Sequence, residues 1–356
     1  MPSEPQDSSL DWEAMRRAVH SLGVPLDELV LAGSAPLVAC GAIEAAGDLD
    51  LVALGSAWAM LAARGKVTEG ALGDRVVDLP GGIQVFSGWH GEDAGAVTAA
   101  ARTVDGLHVL DLAPVIAYKR RLDRPKDRVH LAALTRWARS PSCLARARRL
   151  ADRREAGTLL ACTLADAQLG SPIVLALPRG GVPVAAPLAR ALDSPLGVLV
   201  VRKLGVPWNP EYAFGALGEG GATVIDDSVV AAAGLSADQI ATVVAEETAE
   251  RDRRIGLYRP DRAPLDLTGR TAIIVDDGAA TGATALAAIA VSRALGAAKV
   301  LVAVGVASPE TLETLSSTAD AAIAAVTASP FHAVGQWYED FAQTTDDEVR
   351  ALLGLT

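Results

Sequence analysis

The sequence predicts an α/β protein of two domains, and three observations carry that expectation. The chain has 356 residues, where a single domain takes ~150. Beyond residue 140, short apolar runs alternate with helical patterns, as they do in an open parallel sheet covered by helices. Between the halves, RSPSCLA (139–145) places Ser-Pro-Ser where neither pattern continues, which reads as a linker. The expected domains are residues 1–139 and 145–356.

In the second domain four segments read as buried parallel strands: IVLALP, GVLVVRK, TAIIVDD and KVLVAVGV. Each is nearly continuous in aliphatic residues and is ended by turn or polar residues. AAIAAVT (321–327) is a fifth. Between them VPVAAPLARALD and TALAAIAVSRALGA have helical periodicity, and RARRLADRREAGTLLACTLADA reads as the domain's first helix. The segment 236–259 is expected to be a mostly exposed scaffolding helix, because Glu247 precedes Arg251, and Glu250 precedes Arg254, by four residues.

Composition narrows the function classes. Half of the residues are hydrophobic, yet no uninterrupted apolar stretch reaches the ~18 residues of a membrane span, so no membrane partner is expected. The start, MPSEPQDSSLDWEAM, lacks the basic and then apolar regions of a secretory signal, and the expected location is the cytoplasm. Cys40, Cys143 and Cys162 form no CxxC pair and read as reduced and structural. Net charge is −11, with 14 basic against 18 acidic residues up to position 140 and 18 against 25 beyond. Neither half is a general polyanion binder, and no nucleic-acid partner is expected. One local exception, YKRRLDRPKDR (118–128), has six basic residues against two Asp. It either faces a phosphate or is a solvated helix end.

The stretch TAIIVDDGAATGATALAAI (271–289) runs an apolar strand into two adjacent carboxylates and then into a small-residue loop opening an Ala-rich helix. The carboxyl end of a parallel strand is where open α/β sheets bind ligands. The backbone amides of Gly278, Ala279, Ala280, Thr281, Gly282, Ala283 and Thr284 can approach an anion closely, and the helix adds its positive end. Without a GK[ST] ending or a GxGxxG pattern this is neither a nucleotide P-loop nor a dinucleotide turn. Asp276 and Asp277 would repel a bare phosphate, so they are expected to accept bonds from neutral hydroxyls or to hold a cation. A sugar phosphate meets both conditions. The bland alternative is a hairpin turn at Asp277-Gly278, but that needs an alternating strand where the sequence is helical.

These residues resemble the phosphoribosyl-pyrophosphate (PRPP) signature of type I phosphoribosyltransferases. The resemblance implies a Rossmann-like parallel sheet with a hood. It also implies that Asp276 and Asp277 hold the ribose hydroxyls, that Gly278 to Thr284 hold the 5-phosphate, and that Mg2+ is the cofactor, with Asp276 and Asp277 as its ligands. In LALPRGGVPVA (175–185), Arg179, Gly180 and Gly181 match the family's pyrophosphate loop. In LVVRKLG (199–205), Arg202 and Lys203 end a strand and match a basic pair used against the leaving group. VPWNPEYAFGALGEGG (206–221) occupies the place of the family's mobile loop.

Residues 145–356 are similar to a bacterial subgroup of predicted phosphoribosyltransferases, whose most distinctive part here is VGQWYEDF. Trp337 and Tyr338 either stack on an acceptor base or form a helix seam with positions 334 and 341. The reaction implied moves ribose 5-phosphate from PRPP to a small-molecule acceptor, expected to be a nitrogenous base. Arg179, Arg202 and Lys203 would stabilise the departing pyrophosphate while Asp276 and Asp277 stay ionised. No general base is identifiable, and His332 reads as structural. The alternative is a PRPP- or nucleotide-sensing regulator that binds without turnover. The oligomeric state is left open, with a homodimer as the first alternative.

In the first domain, Gly33-Ser34 precedes Asp48-Leu49-Asp50 by thirteen residues. Acids at i and i+2 on a strand share a face, as a metal-binding pair must. The spacing resembles the nucleotidyltransferase fold, which implies a nucleotide phosphate on Gly33 and Ser34 and magnesium on Asp48 and Asp50. Against an active enzyme, Gln84 and Ser87 stand where the family's third carboxylate belongs, although Asp78 is near.

Overall fold

Continuous aliphatic runs need cover on both faces, and the chain supplies it in two compact units: residues 1–140 with 162–166, and residues 141–161 with 167–356. The structure is a computed structural model that describes residues 9–70, 73–140, 143, 149–260 and 265–355. Most of the expected linker, 139–145, lies outside the described residues. Among the described residues no single helix is long and apolar enough to cross a membrane.

The first unit contains α1 (Trp12–Ser21), β1 (Leu29–Leu31), α2 (Ala35–Cys40), β2 (Leu49–Ala53), α3 (Gly55–Ala62), β3 (Val67–Glu69), β4 (Arg75–Leu79) and β5 (Ile83–Phe86). It continues through β6 (Gly88–Trp89), β7 (Glu92–Asp93), α4 (Ala94–Ala99), β8 (Arg102–Val104), β9 (Leu107–Val109), α5 (Leu112–Leu122) and α6 (Pro125–Ala138). Seven strands form one mixed sheet in the order β3-β4-β5-β2-β1-β9-β8. Alternate residues Leu49, Leu51, Val77 and Val85 face a core that α1 closes with Met15 and Val19.

The second unit holds α7 (Arg153–Thr163), β10 (Pro172–Ala176), α8 (Gly181–Ala191), β11 (Leu196–Val198), β12 (Arg202–Val206), β13 (Asn209–Leu217), β14 (Thr223–Ile225) and α9 (Asp227–Ala233). Then come α10 (Ala237–Tyr258), β15 (Thr271–Ala279), α11 (Ala283–Ala294), β16 (Lys299–Ala307), α12 (Pro309–Thr318), β17 (Ala321–Thr327) and α13 (Asp346–Leu352). Five strands make a wholly parallel sheet ordered β11-β10-β15-β16-β17. In chain order that is 2-1-3-4-5, so the winding reverses between β10 and β15, and a crevice opens beyond their carboxyl ends.

A second, antiparallel sheet of β12, β13 and β14 packs Leu204, Val206, Phe214 and Leu217 against apolar residues of α9 and α10. Two expectations are corrected here. GVLVVRK is not one strand: β11 ends at Val198, and Arg202 and Lys203 open β12 in the other sheet. VPWNPEYAFGALGEGG is not a loop: all of Asn209–Leu217 is strand, and only Pro207 and Trp208 form its turn from β12. The local pattern was hidden by Gly and Pro, whose strand-breaking tendency is outweighed by pairing on both sides of β13.

Helix α10 starts where Ser236 and Gln239 cap it reciprocally. Of its two expected ion pairs, Glu250 with Arg254 forms at 2.7 Å. Glu247 turns instead to Arg202, and the Arg251 guanidinium donates to the Gly218 carbonyl at 2.9 Å. The turn between β13 and β14 is tied down further by Glu219, 3% exposed, which accepts from Arg259 and from the Val200 amide. Breaking a buried pair leaves the partner charge stranded. Glu219→Ala is therefore expected to lower unfolding free energy by roughly 3 kcal/mol in urea titration, with the antiparallel sheet exchanging its amide protons first.

Candidate active site

At the reversal point the chain leaves β10 as Leu177-Pro178-Arg179-Gly180-Gly181 and enters α8. Leu177 still donates to the Val275 carbonyl at 2.8 Å, so the turn begins flush against β15. The approach is close enough to require glycine twice. A Cβ on Gly180 would collide with the Asp277 carboxylate, and one on Gly181 with the Val275 carbonyl. The two motifs, far apart in sequence, are thus in contact.

Strand β15 runs further than the sequence suggests. It pairs with β16 through Gly278 and Ala279, and Ala279 is buried in the core. The loop proper is only Ala280, Thr281 and Gly282, with Gly282 in the left-handed region at φ 74° as the residue before α11. Ala283 and Thr284 form the first turn of that helix, whose leading amides and positive end face outward. The Thr311 hydroxyl fixes the loop by donating to the Ala280 carbonyl at 2.8 Å.

Beyond these ends lies a cavity of about 900 Å³, lined among others by Pro178, Arg202, Lys203, Glu246, Asp276 and Thr284. Three expected site regions therefore share one cavity. Arg202 is bonded through Nε to Glu247. Arg179 lies apart from that lining, with its guanidinium 3.8 Å from Asp346. Asp277 is clamped by Arg153, whose Nε and Nη2 each lie 2.9 Å from Oδ2. Arg153 and α10, which walls the cavity with Asp238, Thr242 and Glu246, were missed by sequence reasoning. Arg153 sits in a charged run without motif spacing, and α10 carried only the signature of an exposed helix.

Burial pushes the Asp276 carboxyl well above the usual carboxylate range, and the like charge of Asp277 adds to this. Asp277 is also raised by burial, against the pull of Arg153. Both shifts run against the ionised state expected of the pair, and at Asp277 the Arg153 charge opposes the shift.

Tyr338 is corrected as well. It is 1% exposed, its ring stacks on Phe341 at 5.1 Å, and its hydroxyl donates to the Asp277 carbonyl at 2.6 Å. No ring face is left for a base. Residues 334–337 form one 3-10 turn and the chain then extends, so the helix seam is absent too. Trp337 is half-buried beside it, and its carbonyl accepts from the Leu150 amide at 2.8 Å.

In the first unit, the Gly33-Ser34 turn rests on Asp50: a Cβ on Gly33, at φ 59°, would collide with that carboxylate. Ser34 accepts a bond from the buried Lys119 ammonium at 3.3 Å, and Lys119 also meets His130 Nδ1 at 3.1 Å and Asp127 at 3.6 Å. Lys126 pairs with Asp48 at 3.3 Å. Lys119 and Lys126 of the basic run 118–128 are thus turned onto the acid pair and its glycine turn, whereas Arg124 and Arg128 pair with Asp127 and Asp123 inside the run. Burial and the neighbouring Asp48 push Asp50 up to about 6, while burial and Lys119 hold His130 down at about 4. Asp78, Gln84 and Asp50 are cross-strand neighbours in one row, and the Gln84 amide donates to Asp78 at 2.7 Å. An amide thus separates the two acids.

The fold and the reversal-point cavity define a class. The model of the phosphoribosyl transferase domain family matches residues 150–323, and the crevice described above lies within that match. A Mycobacterium tuberculosis protein named "Putative phosphoribosyl transferase Rv0571c" is 49% identical over 202 residues, which are 57% of this chain and 46% of the relative. The chain therefore spans about half the length of the curated relatives it matches. The crystal structure of TT1426 from Thermus thermophilus aligns with 43% identity and a TM-score of 0.54, over 58% of this chain and 97% of that one.

The raised Asp276 carboxyl sets a stability test. Between the unfolded and folded pKa values the folded chain holds a proton that the unfolded chain has released, so stability falls as pH rises through that window. Asp276→Asn removes this loss while keeping an oxygen for the Asp277 amide, which Asp276 accepts at 2.9 Å. At neutral pH the variant is expected to be more stable by about 1 kcal/mol, or roughly 2–4 °C in Tm. Near pH 4 the two melting curves should converge.

Proposed function

We propose that the second unit is a magnesium-dependent phosphoribosyltransferase that moves ribose 5-phosphate from PRPP to a nitrogenous acceptor, releasing pyrophosphate. The observation that supports it most is the convergence of Asp276, Thr284, Arg202 and Lys203 on one cavity at the sheet's reversal point. The amides of the 280–284 segment receive the 5-phosphate, and the sugar hydroxyls meet the carboxylate side. The Gly180-Gly181 turn and the cations Arg179, Arg202 and Lys203 receive the diphosphate. Such a site performs little covalent work. Its fixed donors stabilise charge that develops as the glycosidic bond to pyrophosphate breaks.

Among the described residues no three His, Cys, Asp or Glu side chains gather into a metal cage. Magnesium needs none, since it is commonly held by one or two carboxylates and the substrate's phosphates. Asp276, at the cavity and next to where the diphosphate would lie, fits that requirement. The metal would supply charge neutralisation to the leaving group.

A second reading has its own support. Arg202, a cation assigned to the leaving group, is already neutralised by Glu247, which suits a PRPP- or nucleotide-sensing protein that binds without turnover. Incubation with PRPP and magnesium against purines, pyrimidines, nicotinate-like acids and amines, with pyrophosphate release followed, separates the two. Release with one acceptor is expected, and Arg202→Ala should lower kcat/KM for PRPP by about 10²-fold. Tight PRPP binding with no release across the panel would favour the sensor.

For the first unit we infer a nucleotide site, with phosphate on Gly33 and Ser34 and magnesium on Asp48 and Asp50. The Gln84 amide between Asp50 and Asp78 favours binding over transfer. Calorimetry is expected to show magnesium-dependent binding of a nucleoside triphosphate that Asp50→Asn abolishes. Undiminished binding in that variant would remove the assignment.

A further inference from the structure

Among the described residues six buried side-chain nitrogen or oxygen atoms have no hydrogen-bond partner, and three of the six belong to two neighbours, Trp89 and His90. Leaving such atoms dry and unpaired is costly, so three together need a cause. The backbone of His90 is also in the left-handed region, at φ 56°, which is uncommon for a residue other than glycine. Both side chains belong to a cluster of rings. Phe86 meets Trp89 at 5.3 Å, Trp89 meets Tyr118 at 5.4 Å, and the His90 imidazole lies on Tyr118 with centroids 3.8 Å apart and planes inclined by 31°.

The cluster stands on the acid face of the first unit's sheet. Asp50 and Val52 of β2 pair with Gln84 and Phe86 of β5, and alternate residues of a strand share a face, so Phe86 rises on the side that carries Asp50 and Gln84. Tyr118 comes from α5, next to Lys119. Burial raises the pKa of its hydroxyl, and Arg124, Asp50 and Asp127 are near enough to act on it. We propose that the Tyr118 ring is the stacking surface for the base of a purine nucleotide whose phosphates lie at Gly33 and Ser34, and that His90 is the side chain the base displaces. This rests on the nucleotide reading of the first unit given above.

The two stacked rings are held differently. Tyr118 is braced by the Arg124 guanidinium, 5.7 Å from its centre, and the buried Asp127 carboxylate accepts from Arg124 Nε at 2.6 Å and Nη2 at 3.2 Å. His90 has ring contacts alone, because neither of its nitrogens is bonded, while its backbone amide is anchored by donating to Asp74 at 3.1 Å. Rotation of that side chain uncovers Tyr118 without moving the chain. Burial, with Arg121 and Arg124 close by, holds the imidazole down at about 4, so a neutral heteroaromatic ring occupies the place. A base is a larger ring of the same kind, and a purine offers the wider stacking face. The indole N–H of Trp89, a residue 4% exposed, is a donor without an acceptor, which the ring nitrogens of a purine supply.

Calorimetric titration with ATP, UTP and inorganic tripolyphosphate, each with magnesium, tests the assignment. The wild type is expected to bind ATP about tenfold more tightly than tripolyphosphate, with UTP between them. Tyr118→Leu should remove that advantage and leave tripolyphosphate affinity unchanged, whereas Tyr118→Phe should keep it. His90→Ala clears the stacking face and should tighten ATP binding by about fivefold, again without effect on tripolyphosphate. His90→Phe fills the dry site with a ring that has no orphaned nitrogens, and should weaken ATP binding. A merely structural His90 would lower Tm when replaced and would not improve binding. If Tyr118→Leu fails to fold, the two His90 variants, which should move ATP affinity in opposite directions, carry the comparison. ATP affinity that falls or stays level in His90→Ala, or a wild type that binds ATP no better than UTP or tripolyphosphate, would overturn the base site alone. A wild type that binds none of the three would overturn the nucleotide reading beneath it.

Discussion

The close contact between the glycine turn after β10 and the end of β15 is the constraint on which the second unit depends. A parallel sheet wound in both directions leaves a crevice at one place only, where consecutive strands diverge. The strands there are β10 and β15, and both end in residues chosen for approach rather than for packing. Gly180 and Gly181 have no room for a side chain because the Asp277 carboxylate and the Val275 carbonyl fill it. Sheet order, glycine identity and acid position are therefore one feature seen at three levels.

The hood follows from the same geometry. With β11 ending at Val198 on the edge of the sheet, the chain leaves the parallel layer and returns as an antiparallel sheet with its own small core. That core, Leu204, Val206, Phe214 and Leu217 against α9 and α10, places Arg202 and Lys203 at the start of β12 over the crevice. Helix α10 then closes the cavity with a polar stripe at i, i+4 and i+8, formed by Asp238, Thr242 and Glu246. A helix so polar is usually a solvent-facing scaffold; here its polar face is a cavity wall.

What the sequence reveals, and what it hides, follows from the range of the interactions. The five parallel strands and the helices between them are readable because continuous aliphatic runs and 3.6-residue periods are local signals. The PRGG and DDGAATGAT segments are readable because close approach of two backbones demands small residues there. β13 is hidden, since its Gly and Pro content speaks for a loop and only long-range pairing overrules it. The partners of Glu247 and Asp277 are hidden for the same reason: Arg202 and Arg153 lie 45 and 124 residues away. The place of Tyr338 is hidden because an aromatic cluster has the same appearance in sequence whether it faces a ligand or braces a strand.

The two units reach one physical solution independently. In each, a glycine lies so close to an aspartate carboxylate that a single added carbon would displace it: Gly33 over Asp50, and Gly180 over Asp277. A backbone turn so placed holds the main chain directly against an aspartate carboxylate borne by a strand of the sheet. Each unit also supplies a basic side chain to its acids, Lys126 to Asp48 and Arg153 to Asp277. The two pairs differ in burial. The lysine pair is open to solvent and can yield to a cation, while the arginine pair is enclosed and cannot be replaced cheaply.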